Sequence, residues 1–436
     1  MKPKLLLIAV CTFFLTASIC FGYTATFTPK LSVGAEYTDN VFLTGNEDLE
    51  EDDVITTITP GFDAELLSKT YGANVSYDAA YAMYDEWEEF DGWRHRANLT
   101  GWFQPGKHSR LGLRDSFIYT EDPIRDENLA EVRTEDPNLP VDSTIRRTRR
   151  VYYQNFALVD LNHQFGKYDS SFTVGYKHWF REEDDSALED KESHSPFAGV
   201  TYWFMPKWGF ALDGSYTRGD FEFSDDVDIY TGNVSLLKRF SRHFTGFLRY
   251  SHNVVDYKED TEDDVTHNPS LGFKYDIEKD ISLIAEVGYF YNDFEERDSE
   301  SNVTGNIRLI KLFKHGKLNL ALLGGYDYAF FTTDKLGFNT YYEPSASLTY
   351  RLSPRVNSKI YASYRNTDYS DFDREDDIIT AGLGLSWRAL DWMSIGVNYR
   401  YRTVDSTINS EEYDENRVTA GITLIPKVPY HQSRYK

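Results

Sequence analysis

Apolar and polar residues alternate one by one along much of this chain, most clearly in its C-terminal half. In 392–404, Met393, Ile395, Val397, Tyr399 and Tyr401 share one parity, and Ser394, Gly396, Asn398, Arg400 and Arg402 the other. In 355–366, Ile360, Ala362 and Tyr364 oppose Lys359, Tyr361, Ser363 and Arg365. Ala381, Leu383, Leu385 and Trp387 oppose Gly382, Gly384, Ser386 and Arg388, and in 280–292 Ile281, Leu283, Ala285, Val287, Tyr289 and Tyr291 form one apolar row. A period of two places such sets on opposite faces of a strand. Runs of roughly ten alternating residues separated by turns are the signature of a transmembrane β-barrel, with the apolar set facing lipid and the polar set the lumen.

Two kinds of connection take turns along the chain. Nine are short, nearly all with a basic residue: 68–70, 105–108, 166–167, 206–207, 241–242, 278–280, 315–317, 353–355 and 389–391. Ten are long and acidic: 44–53, 84–93, 121–146, 183–192, 221–229, 257–265, 294–301, 333–339, 367–377 and 404–415. Nineteen connections join about twenty strands. The expectation is therefore an all-β fold, a transmembrane antiparallel up-and-down β-barrel of 18–22 strands. Its short turns would face the periplasm, its long acidic loops the exterior, and both termini would lie on the turn side.

Residues 1–22 read as a secretory signal peptide, with Lys2 and Lys4 at its charged start and an apolar stretch from Leu5 to about Leu15. That stretch is shorter than the roughly 20 residues a helical span needs, and no later run reaches 18. The remainder, 23–436, reads as one barrel. Cys11 and Cys20 both lie in the leader, so the mature chain is cysteine-free and no disulfide scaffold. Net charge is −24, and removal of Lys2 and Lys4 with no acid makes it −26. This charge argues against nucleic acid as a partner, because phosphate binding needs a basic surface. The 32 Tyr and 29 Phe suit the aromatic girdles of a membrane interface.

The N-terminal third carries Val33-Gly34-Ala35-Glu36-Tyr37-Thr38-Asp39-Asn40-Val41-Phe42, then Asp53-Val54-Ile55 through Thr59-Pro60-Gly61-Phe62, then Tyr77 to Tyr84 and Leu111 to Asp122-Pro123. In this order the pieces resemble the β-barrel porin family found with bacterial exopolysaccharide and surface-protein sorting loci. The resemblance implies an outer-membrane barrel linked to polysaccharide export, and no catalytic residues. The C-terminus departs from the usual terminal aromatic of such barrels: the last apolar run, Val418 to Ile425, is followed by Pro426 to Tyr430 and ends at Lys436.

Basic residues concentrate in strands and turns. Arg249, Lys359, Arg365, Arg388, Arg400 and Arg402 fall on polar faces and are candidates to line the lumen, where rings of Arg or Lys select anions. They could equally pair with wall acids such as Asp213 and Glu286. The longest loop, with Glu121, Asp122, Arg125, Asp126, Glu127, Glu131 and Arg133, is the candidate constriction. Acidic clusters such as Glu50-Glu51-Asp52-Asp53 could hold divalent cations or bridge to lipopolysaccharide, but none has the spacing of a calcium loop. Scattered histidines (His95, His163, His178, His194, His243, His252, His267) leave little for zinc, and no nucleophile elbow marks an enzyme.

The functional expectation is an outer-membrane porin or channel, with export of exopolysaccharide as a role. The alternative is a structural barrel whose acidic loops bind cations or lipopolysaccharide. The partners implied are outer-membrane lipid, the barrel-assembly machinery and polysaccharide or small solutes, with no cofactor.

Overall fold

The computed structural model describes residues 22–46, 48–122, 149–186, 188–258, 262–277, 279–331, 337–370, 372–426 and 430–434. The signal-peptide reading of 1–22 thus lies almost wholly outside the described residues, as do Arg125, Asp126, Glu127, Glu131 and Arg133 of the proposed constriction.

The strands follow the alternating runs. They are β1 (Tyr23–Thr38), β2 (Asp53–Ser68), β3 (Tyr71–Tyr84), β4 (Gly92–Gly106), β5 (Ser109–Thr120), β6 (Tyr152–Phe165) and β7 (Ser170–Glu183). Then come β8 (Lys191–Met205), β9 (Trp208–Phe221), β10 (Val227–Arg239), β11 (Phe244–Tyr257), β12 (Asp264–Ile277), β13 (Ile281–Phe294) and β14 (Glu300–Phe313). Last are β15 (Gly316–Ala329), β16 (Gly337–Ser353), β17 (Val356–Tyr369), β18 (Arg374–Leu390), β19 (Met393–Ser406), β20 (Tyr413–Leu424) and the short β21 (Tyr430–Arg434). From β1 to β20 each strand pairs antiparallel with its sequence neighbours, and β20 returns to pair with β1, from Leu31 opposite Leu424 to Thr38 opposite Arg417. β21 continues along the remainder of β1, with Tyr430 opposite Phe27. The expected barrel of about twenty strands is therefore present, closed, with its short and long connections where the sequence placed them. Closure pairs the first and last strands, the condition for a sheet to sit in lipid; only at the loop end do 300–304 of β14 lack partners on β15.

Besides Pro29 in β1 and Pro105 near the end of β4, four prolines lie inside strands, where a missing N–H would break the ladder. At each, the pairing on one side skips: Pro60 and Thr59 lack partners on β3, Pro196 on β9, Pro269 on β13 and Pro344 on β17.

Alternation decides the faces. Leu248, Leu271, Val287 and Val303 point outward, with exposed Tyr230, Tyr250, Tyr289 and Tyr399 nearer the loop end. Arg400, Arg402, Arg417 and Asn292 point inward and are buried. The expectation that the inward face is polar throughout needs correction at the loop end. There Phe290, Phe294 and Phe338 are buried inside the barrel with Tyr326 and Tyr328, and Val227, Val255 and Phe330 form a second inner cluster. The cause is the end of the β15–β16 hairpin, which parts from β14 beyond Gly324 and carries Tyr326, Tyr328 and Phe338 inward. Phe331, just past β15, reaches Trp179 on β7 (5.5 Å between ring centroids) and Phe221 on β9 (5.7 Å). Side chains there face this packed hairpin end, not water.

The β1–β2 loop also turns inward. Val41 packs on Ile55, Ala82 and Tyr84, and Leu43 on Ile378, Val404 and Tyr413. Leu43 holds a left-handed backbone (φ 53°) to do so, a conformation costing about 1–2 kcal/mol in a non-glycine residue, which burial of its side chain offsets. Asn40 fastens this loop to β20. Its amide donates to the carbonyls of Thr44 (2.8 Å) and Asp414 (2.9 Å) and accepts from the Thr44 N–H (3.0 Å). Asp39 accepts from the backbone and side chain of Asn416, both at 2.7 Å, and Thr38 donates to Glu415 at 3.1 Å. The Thr38-Asp39-Asn40-Val41 run is thus a clamp across the closing seam.

Asn40→Ala should loosen that seam, costing about 1–3 kcal/mol by leaving buried polar groups without partners. The expected readout is a lower urea midpoint for the folded barrel, with amide exchange rising in the upper halves of β1 and β20 before it rises in β12 or β13. Uniform loosening would contradict the clamp.

Candidate functional site on the inner wall

The densest inward-facing chemistry lies where β19 and β20 meet β1. Register sets Arg400 opposite Arg417 and Arg402 opposite Glu415. Two arginines facing each other repel, and the buried Glu415 between them resolves the conflict. It receives Arg400 at 2.9 Å and Arg417 at 2.7 Å. Arg402 donates to the Tyr413 hydroxyl at 2.7 Å. Arg417 also reaches Glu36 (3.2 Å) and Asp122 (3.1 Å).

Asp122 follows β5, several strands around the wall from β20, so this ion pair is a bridge inside the mouth. Its neighbours extend the bridge. Arg149, whose side chain is fully buried, donates to the Val41 carbonyl (2.7 Å) and the Tyr84 hydroxyl (2.9 Å) and lies 3.9 Å from Asp122. Tyr84 donates to Glu121 at 2.7 Å, and Arg94 reaches the same carboxylate oxygen at 2.6 and 2.8 Å. Burial opposes ionisation of Asp122, but Arg417, Arg149, Arg94 and Arg400 outweigh it and hold its carboxyl well below the ordinary carboxylate range. Both described ends of the longest loop are therefore anchored into the barrel by charge.

Below this bridge, Lys359, Tyr361, Asn398, Arg400, Arg417 and Thr419 line a recess of about 50 Å³. Its lining holds three cations and no carboxylate. Within the described residues, Nε of Arg400 is buried and makes no hydrogen bond.

The sequence-based candidates do not form one ring. Lys359 and Arg365 lie on β17 and Arg400 and Arg402 on β19, either side of β18; Arg365 pairs with Glu343 at 3.0 Å and lies over the Tyr341 ring. Arg249 sits on another part of the wall, on β11, bridged to Glu286 at 3.1 Å. Asp213 instead accepts from Asn233 at 2.6 Å. Arg388 lies at the turn end and is exposed. Sequence reasoning missed Arg94, Arg149, Arg417, Glu415, Glu36 and Tyr84. Glu415 and Arg417 share a parity in β20, so the same alternation could have flagged them; nothing local marks Arg149. The histidines, expected to be scattered, pair across strands: His178 faces His194, and His252 faces His267.

Because folding holds Asp122 ionised more firmly than in the unfolded chain, its stabilising contribution is full above the ordinary carboxylate range. It is lost as pH falls through the lowered value. The urea midpoint should decline on acidification below about pH 4. Asp122→Asn should cost about 3–5 kcal/mol at neutral pH by stripping buried arginines of a partner, and should flatten that acid limb. An acid limb identical to wild type would contradict the bridge.

Residues 331–425, which include β16 to β20, match the model of the family described as "Putative beta-barrel porin 2". This is the family class that the N-terminal residues resembled, found in a different part of the chain. No curated protein matches the chain. Among solved structures, it is similar to the FrpB iron transporter from Neisseria meningitidis, at 9% identity over 92% of this chain and 82% of that one, with a TM-score of 0.51. It is also similar to a mutant of the ferric enterobactin receptor PfeA from Pseudomonas aeruginosa in complex with enterobactin, at 9% identity over 92% and 81%, with a TM-score of 0.50. A BenF-like porin from Pseudomonas fluorescens matches at 10% identity over 92% and 99%, with a TM-score of 0.42. At such identities the likeness is one of fold. The protein has the closed antiparallel fold of bacterial outer-membrane barrels, and over residues 331–425 it carries the pattern of the beta-barrel porin family.

Proposed function

We propose that this barrel is a passive outer-membrane channel that favours small anionic solutes or anionic polymer. The observation that carries the reading is Lys359 at a recess whose lining holds no carboxylate, beside Arg400 and Arg417, which are ion-paired to Glu415 behind it. Cationic groups on a pore wall select anions, and the low-dielectric wall strengthens their field. Size supports passage. Twenty strands about 4.8 Å apart, tilted by roughly 40°, make a backbone cylinder on the order of 40 Å across. Wall side chains alone cannot fill that width. The bridges at the mouth, Asp122–Arg417 on one side and Phe331–Trp179 on the other, narrow the entrance. An acidic exopolysaccharide belongs to the solute class this wall would suit, and its export remains part of the proposal on the strength of the family resemblance. The reading calls for no catalytic residue.

A second reading draws on the inner aromatic cluster. A mouth bridged by packed Phe and Tyr would serve a barrel that binds at its surface and conducts little.

Refolded protein in a planar bilayer should give stable open steps and, in a salt gradient, a reversal potential of the sign set by anion permeation. Lys359→Gln should move that potential toward cation preference, since it removes a recess charge without stripping the buried Glu415 of a partner. A folded barrel that conducts nothing would favour the binding reading. Cation preference unaffected by Lys359→Gln would reject the anion channel.

A further inference from the structure

On the outer wall, away from the lumen, β7 and β8 carry a group with a different chemistry. His178 and His194 are register partners on adjacent strands. They share an outward parity with Val174 and Tyr176, near the loop end. Glu192 lies two residues from His194 on the same face, diagonal to His178. Its Oε1 is 2.7 Å from His178 Nε2 and 3.3 Å from His194 Nε2. The three ligand atoms all lie within 4.8 Å of one another. The two rings stand 4.9 Å apart, inclined by 24°.

We propose that His178, Glu192 and His194 form a binding site for one divalent transition-metal ion of the zinc class, with a fourth position open to water. Two imidazoles and one carboxylate with an open position is a donor set that suits Zn²⁺. Zinc–nitrogen and zinc–oxygen bonds of about 2.0–2.2 Å in a tetrahedron put donor atoms roughly 3.3 Å apart, so the observed spacing needs only side-chain adjustment. A further contact favours ligation through Nε2: the Tyr176 hydroxyl lies 2.5 Å from His194 Nδ1. A metal-bound imidazole characteristically donates its other N–H to such an acceptor, which fixes its orientation. The residues are partly exposed, so an ion can reach them from the aqueous side of the interface. Bound there, the ion would tie β7 to β8 across the acidic loop at 184–190.

A contrast is built into the same wall. His252 and His267 face each other in the same way, 3.3 Å apart at Nδ1, yet among the described residues no carboxylate completes a set of three. Histidine pairing alone therefore does not define the site; Glu192 does.

The test is Zn²⁺ titration, by calorimetry, of the full-length barrel refolded without a histidine tag. The expected result is one tight equivalent per chain. His178→Ala with His194→Ala should weaken it by at least about tenfold, Glu192→Gln and Tyr176→Phe each by roughly tenfold, and His252→Ala with His267→Ala should leave it unchanged. Gel heat-modifiability reports whether each variant has folded. Co²⁺ on the wild-type protein gives an independent readout, because a tetrahedral site produces intense visible absorption and a hydrated ion does not. Absence of a tight equivalent, its survival in the folded His178/His194 double variant, or a hydrated-type Co²⁺ spectrum would each overturn the proposal. None of these outcomes depends on whether the lumen conducts.

Discussion

Every other feature of this molecule depends on closure of the sheet between β1 and β20. In hydrocarbon a backbone N–H or C=O without a partner costs several kcal/mol, and water is not there to relieve it. A sheet of this length is tolerable in a membrane only if its first and last strands find each other. Here they do so along Leu31 to Thr38, and β21 extends the pairing toward the turn end. The loop end of that seam is reinforced by side chains, with Asp39 on Asn416, Asn40 on the Asp414 carbonyl and Thr38 on Glu415. The motif that suggested a family from sequence therefore has a mechanical meaning: it stitches the two ends of the chain together.

The same seam places the inner-wall charges. Glu415 is at once the acceptor for Thr38 and the shared partner of Arg400 and Arg417. Buried ion pairs are poor sources of net stability, because desolvation consumes most of the Coulombic gain. Their persistence here is better understood through position. The network holds guanidinium groups on the inner wall and draws both described ends of the longest loop into the mouth. On another sector, aromatic rings do the corresponding work without charge, as Phe330 and Phe331 cross to meet Val227, Phe221 and Trp179. One half of the mouth is bridged by electrostatics and the other by apolar packing. The two differ in consequence for the proposed channel, since only the charged half presents fixed charges to an ion.

The outer wall follows a separate logic. Its apolar belt meets lipid, and its Tyr residues mark the upper interface. At that level histidine and tyrosine pair repeatedly: Tyr77 with His95, Tyr176 with His194, Tyr250 with His267. These amphipathic rings suit a boundary where one side is apolar and the other wet. Among the described residues a carboxylate completes such a set only at β7–β8, which is where the proposed metal site lies.

Strand number, the order of turns and loops, and the face of nearly every strand residue were legible in the sequence. The reason is that a strand's side-chain period is local: parity at Met393, Ile395 and Val397 settles where Ser394, Arg400 and Arg402 must point. Hairpin pairing is nearly as local, and the placement of His178 and His194 about a common loop could have been read the same way. What meets across the lumen is another matter. That Asp122 would reach Arg417, that Arg149 would lie against Val41 and Tyr84, and that Phe331 would pack on Trp179 depend on how the closed cylinder brings distant strands within range and how far each loop dips inside. No local period encodes those distances. The sequence by itself determined the barrel and its two faces, because alternation is a property of neighbouring residues. Only the tertiary structure decided which inward charges share a partner and which loops occupy the mouth, because closure sets those contacts.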